Sequence, residues 1–142
     1  MKQHAEVRAF KNELMNYYVY KERITKLNNL IEYCYHMLGG IKGIDTTKEP
    51  SQSHIKNLDA EYKIRDEIEL HTRKIERTQN KINEIEQILN SIEALEGEWV
   101  RLATFKVFAQ GYTYAKVGET YGYSPSNVRY IVNRAIKKAL DI

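Results

Sequence analysis

The sequence predicts an all-α protein, in which a long antiparallel helical hairpin of coiled-coil type is followed by a small helix-turn-helix bundle. Three observations predict it. Two prolines and seven glycines are all that interrupt 142 residues rich in Glu, Lys, Leu and Ile, which favour helix. Apolar residues recur every seven positions through two long stretches, the spacing of a helix seam. The last quarter, GYTYAKVGETYGYSPSNVRYIVNRAIKKAL from Gly111 to Leu140, carries the start and stop signals of two short helices joined by a sharp turn.

The hairpin is expected over residues 1–95 and the helix-turn-helix domain over 96–142. A first helix is expected from about Ala5 to Leu38, because Phe10, Tyr17, Ile24, Ile31 and Leu38 repeat every seven residues. Leu14, Leu27, Leu30 and Cys34 widen that stripe, and Gly39-Gly40 is expected to end the helix. Residues 39–53, GGIKGIDTTKEPSQS, read as a mobile loop, with three of the seven glycines and a proline. A second helix is expected from about His54 to Leu95. Ile68, Ile75, Ile82 and Leu89 form one seam register and His71, Thr78, Ile85 and Ile92 the other. Mixed-sign charges fill the remaining positions and suit a solvated face. At about 1.5 Å per residue this helix would run on the order of 60 Å. A globule of this chain length spans only about 35–40 Å, so a paired hairpin is expected rather than a round core.

The polar His71 and Thr78 at seam positions read as register-setting residues. A metal site at His71 is not expected, since no His, Cys or carboxylate stands at i+4 on that face. In EGEWVRLATFKVFAQ, residues 96–110, the stripe Leu95, Trp99, Leu102 with Phe105 or Phe108 predicts a further helix stopped by Gly111, with Trp99 as a core anchor.

The closing segment is punctuated at several independent points. Thr113 can cap one helix, and Ser124 the next, with Pro125 at its favoured first position. Gly118 supplies a small side chain where the helices meet, and Gly122 the residue tolerant of positive φ at the turn. Val128, Ile131 and Ala135 are expected to face inward. Residues 111–142 carry five Lys+Arg (Lys116, Arg129, Arg134, Lys137, Lys138) against Glu119 and Asp141, a charge of +3 that equals the net charge of the whole chain. The first 110 residues therefore sum to zero. A neutral body with a basic C-terminal module points to a polyanion, with double-stranded DNA first in line.

Other classes are disfavoured. There is no Gly-rich phosphate loop, no metal-ligand cluster and no nucleophile beside a base; His4, His36, His54 and His71 are scattered. The chain therefore reads as no enzyme, with no cofactor and no metal. The single cysteine, Cys34, lies on an apolar helical face, reads as a small buried hydrophobe and fits a reducing cytoplasm. No run approaches the roughly 18 apolar residues of a membrane span, and the polar N-terminus is no signal peptide.

The order helix (Trp99 to Phe108), Gly-Tyr-Thr, KVGETYGYS and a helix ending RAIKKAL resembles promoter-recognition domain 4 of bacterial sigma factors, over Leu95 to Leu140. With a charged hairpin ahead of it, the chain resembles the RinA/ArpU-like late-gene transcriptional regulators of phages and prophages. No segment resembles the sigma domain that melts DNA, and Pro125 and Ser126 stand where sigma factors often place charged base readers.

The resemblance implies a sequence-specific DNA-binding transcription regulator in the cytoplasm of a bacterial host. Its hairpin would serve homodimerisation or contact with host RNA polymerase. The helical wheel places Ser126, Arg129 and Tyr130, then Asn127, as base-edge contacts, because the start of a recognition helix lies deepest in the major groove. Asn133, Arg134 and Lys137, with Thr113 and Lys116 from the first helix, are expected on phosphates. Two other classes fit the same pattern. One is a phage DNA-packaging protein resembling small terminase subunits; the other is a helical interaction protein that no longer binds DNA.

Overall fold

The computed structural model describes the backbone of residues 2–44 and 52–142 and the side chains of 4–40 and 58–142. Six helices and no strand are found among the described residues: α1 (Lys2–Met15), α2 (Tyr17–Ile44), α3 (Gln52–Glu96), α4 (Glu98–Phe108), α5 (Tyr114–Tyr121) and α6 (Pro125–Ala139). The protein is all-α, as its composition predicts. It forms two compact units, Met1–Lys21 with Asn80–Ile142, and Glu22–Gln79. The division expected at residue 95 is therefore not the one that packing draws. Helix α1 lies against α4 and α6, so the chain's first residues share a core with its last.

The unit Glu22–Gln79 is built on the two seams. From α2, Leu27, Cys34 and Leu38 are buried and Ile24 and Ile31 half-buried. From α3, Ile64 and Thr78 are buried, with Ile68, His71 and Ile75 half-buried. Cys34, Leu38 and Ile64 form one apolar cluster, with Ile68 packed on it. Cys34 faces Glu67, while Leu38, one turn later, meets the earlier Ile64, so the helices run antiparallel. Leu30, expected in the stripe, is instead 45% exposed. The Thr78 hydroxyl donates to the Lys74 carbonyl at 2.8 Å, which satisfies it inside the seam.

The first predicted helix departs from expectation in two ways. It breaks at Asn16, whose amide side chain donates to the Asn12 carbonyl at 3.1 Å and whose backbone N–H is shared between Asn12 and Glu13. Helix resumes at once, with Tyr20 N–H donating to Asn16 O at 2.8 Å. Gly39-Gly40 does not end α2, which continues to Ile44. Glycine inside a helix costs about 1 kcal/mol, a penalty and not a stop, and neither residue takes a positive φ. Part of the loop expected at 39–53 is thus helical, and residues 45–51 of it lie outside the described residues.

In the other unit, Val7, Phe10 and Leu14 of α1 and Ile82, Ile85, Leu89 and Ile92 of α3 are buried. So are Val100, Ala103 and Thr104 of α4, Val117 and Gly118 of α5, and Val128, Val132, Ala135 and Ile136 of α6. The stripe expected through Leu95, Trp99 and Leu102 is corrected, since Leu95 is 58% and Leu102 40% exposed. Its count assumed an unbroken helix. Gly97, at φ 101°, starts α4 afresh, so the phase of α3 does not carry across. On the inward face of α6, Val128 and Ala135 are buried as expected, while Val132 and Ile136 join them and Ile131 is only half-buried. The reason is that α6 packs on α1 as well as on α4 and α5.

The α5–α6 turn follows its sequence signals. The Thr113 hydroxyl accepts from Lys116 N–H at 3.1 Å and the Ser124 hydroxyl from Asn127 N–H at 3.2 Å, each capping a helix. Gly122 ends α5 at φ 80°, and the Gly118 carbonyl accepts from both Gly122 N–H (2.8 Å) and Tyr123 N–H (2.9 Å). A methyl group on Gly118 would lie 2.2 Å from the Tyr123 carbonyl oxygen. The Trp99 ring stacks on Tyr123 with centroids 4.9 Å apart and also meets Tyr121 at 5.5 Å.

Alanine substitutions at glycine should therefore have opposite signs in the two units. Gly118→Ala is expected to destabilise by about 1–3 kcal/mol or more, because a backbone atom must move. Gly39→Ala, in open space on a helix, should stabilise by about 0.5–1 kcal/mol. Chemical denaturation of the two variants against the parent chain measures both.

Candidate nucleic-acid interface

Helix α6 divides its surface into three parts. Its inner face is apolar and closed. Its outer face presents Ser126, Asn127 and Tyr130, all exposed, with Tyr130 at 62%. The Asn127 contact to Ser124 uses the backbone N–H alone, and the Tyr130 ring carries Arg134 over one face while staying exposed.

The third part is a flank shared with α1. His4, Val7, Arg8 and Lys11 of α1 and Arg129, Asn133 and Lys137 of α6 line a cleft of about 370 Å³. Among the described residues that line it, four are Lys or Arg and none carries a carboxylate. Burial, and then the positive charges of Arg129 and Lys137, pull the Lys11 amine below its ordinary value. The Lys11 ammonium also lies 5.2 Å from the centre of the Phe108 ring. Asn133 donates its side-chain N–H to the Arg129 carbonyl at 2.8 Å, so its amide is partly engaged within the helix. An anion's oxygens seated in this cleft would relieve the mutual repulsion of the cations around it.

Of the residues singled out from sequence, the structure therefore brings Arg129, Asn133 and Lys137 together on the cleft. It leaves Ser126, Asn127 and Tyr130 on the outer face. Thr113 is exposed and occupied as a cap, and Lys116, in the first turn of α5, places its ammonium 5.5 Å from the Tyr112 ring centre. Arg134 is partly spent within the protein, reaching the Glu96 carboxylate at 3.4 Å and lying over the Tyr130 ring at 5.6 Å. Arg8 and Lys11 were missed. Their spacing with His4 does mark a cationic stripe on one face of α1, but nothing local places that stripe against α6.

Compared with known protein families, curated proteins and solved structures, the chain matches none. No helix among the described residues is long and apolar enough to cross a membrane.

Glu96, at the end of α3, anchors the far end of α6. Its side chain is 12% exposed and takes Lys138 Nζ at 2.8 Å together with Arg134. The hydrogen bond from Lys138, with the charges of both cations, holds the Glu96 carboxyl below its ordinary value against the opposing effect of burial. Trp99 is only half-buried, and it anchors the bundle through the rings of the turn.

In the unit Glu22–Gln79, Cys34 is buried as expected. Burial, then its hydrogen bond to Glu67, pushes the thiol up. The expectation that His71 lacks ligand-type neighbours is corrected. Glu67 stands one turn before it, at i−4, and Cys34 comes from the facing helix.

Because the folded-state value of Glu96 is depressed, its stabilisation is present above about pH 4.5, the ordinary value, and is lost as pH falls through the lower folded value. Glu96→Gln should cost about 1 kcal/mol at pH 7, less than the usual about 1.5–3 kcal/mol of a charged hydrogen bond because Lys138 is half exposed. Urea denaturation at pH 7 and pH 3 should show that difference and then its shrinkage.

Proposed function

We propose that this chain is a sequence-specific double-stranded-DNA-binding transcription regulator, of the kind that controls late genes in phages and prophages. The observation that carries the reading is the exposed outer face of α6, flanked by a cleft whose described lining holds four Lys or Arg side chains and no carboxylate. A tight helix-turn-helix holds that face rigidly through Gly118, Gly122 and the two caps, and a recognition helix requires such support.

In this reading Ser126, Asn127 and Tyr130 meet base edges in the major groove, with Tyr130 suited to a thymine methyl. Arg129 and Lys137, with Arg8 and Lys11 from α1, hold backbone phosphates, and Lys116 and Thr113 approach the neighbouring strand. Arg129 thereby passes from the base readers to the phosphate contacts, because it shares its cleft with Lys11 and Lys137. The hairpin is proposed to serve self-association or contact with host RNA polymerase.

Selection of bound duplexes from a random pool, followed by anisotropy titrations of the recovered motif, tests the proposal. Affinity should fall steeply with salt, and Lys11→Ala and Arg129→Ala should each weaken all duplexes alike and reduce the salt slope by about one. Tyr130→Ala and Asn127→Ala should instead change the recovered motif. Failure to retard any duplex at low salt would leave a pure interaction protein. A ring of eight or more chains in solution would favour a DNA-packaging protein resembling small terminase subunits.

A further inference from the structure

The seam of the unit Glu22–Gln79 contains three groups whose chemistry its packing does not require. Cys34 is 3% exposed and projects from α2 into the seam. Glu67 and His71 lie one helical turn apart on α3, so both side chains point to the same side. One ligand-type atom from each of the three lies within 4.8 Å of the other two. The Cys34 thiol donates to Glu67 Oε2 across 3.7 Å. His71 Nδ1 is shut off from solvent and has no hydrogen-bond partner, a state that a buried ring nitrogen rarely occupies.

We infer that Cys34, Glu67 and His71 form a binding site for a divalent transition-metal ion, zinc by preference, which fastens α2 to α3. The donor set is a thiolate, an imidazole and a carboxylate, the three groups that zinc takes from proteins. With Zn–S near 2.3 Å and Zn–N or Zn–O near 2.0–2.2 Å, tetrahedral ligand atoms stand about 3.3–3.7 Å apart. The Cys34–Glu67 separation already has that value, and a His71 ring nitrogen, within 4.8 Å of both, needs to close by at most about 1.5 Å. On binding, the Cys34 S–H bond breaks, its proton leaves to solvent and the sulfur lone pair goes to the metal. Glu67 is exposed, which leaves a route in for the ion, and a water completes the fourth position. The ion would satisfy the His71 nitrogen and replace a weak thiol–carboxylate contact with a cross-link between facing helices. This inference is independent of DNA binding.

Titration of the full-length chain with cobalt(II), followed by displacement with zinc(II), tests it. Cys34 is the single cysteine, so a thiolate-to-cobalt charge-transfer band reports this residue alone and the three other histidines cannot produce it. One equivalent of cobalt should give that band with tetrahedral d–d absorption, and one equivalent of zinc should remove both and raise Tm. Cys34→Ser should abolish the band, and His71→Ala and Glu67→Gln should each weaken cobalt binding at least about tenfold, with helicity by circular dichroism unchanged. Absence of the band in the parent chain overturns the site. So does equal affinity in His71→Ala, which would leave an adventitious thiol contact; this variant decides the matter even if Cys34→Ser fails to fold.

Discussion

At Gly118 the chain leaving the turn passes so close to α5 that a carbonyl oxygen occupies the place of a missing methyl group. The placing of the outer face of α6 depends on that contact. It lets the Gly118 carbonyl take two amide protons and sets Tyr123 where the Trp99 ring can lie flat upon it. Trp99 belongs to α4, so the turn is tied to the helix behind it. Ser124 then starts α6 in one direction, with Val128, Val132, Ala135 and Ile136 inside and Ser126, Asn127 and Tyr130 outside. A side chain at Gly118 would push on backbone, the least yielding neighbour available.

The cations of this unit fall into two groups with different fates. Arg134 and Lys138 spend charge on Glu96, and so tie α6 to the end of α3. Arg8, Lys11, Arg129 and Lys137 line one cleft, where burial and then the charges of Arg129 and Lys137 depress Lys11. An anion seated there would lessen the mutual repulsion of those cations, the basis of the proposed polyanion contact. In the proposed reading, nonspecific attraction would draw on α1 as well as on the last 32 residues, although those residues hold a charge equal to that of the whole chain.

Much of the architecture was legible in the sequence. The seam positions Ile68, His71, Ile75, Thr78, Ile82, Ile85, Leu89 and Ile92 are all buried or half-buried along α3, because a heptad is a local repeat that the helix reads directly. The caps at Thr113 and Ser124 and the left-handed Gly122 likewise depend on residues within one turn. A helical phase does not survive a break: Gly97 resets it between Leu95 and Leu102, the side chain of Asn16 interrupts the first helix, and Gly39-Gly40 lets α2 run on to Ile44.

By itself, the sequence determined an all-helical chain, the two seams, the turn chemistry and the basic character of its end, since each rests on residues a few positions apart. Tertiary structure alone decided the rest. It placed Arg8 and Lys11 beside Arg129 and Lys137, gave Arg134 to Glu96, brought Val132 and Ile136 onto the inward face of α6, and set Cys34 against Glu67 and His71. The physical reason is common to all four. Periodicity tells a helix which face to bury, but which partner it buries that face against follows from how distant segments close on one another, and no local spacing encodes that.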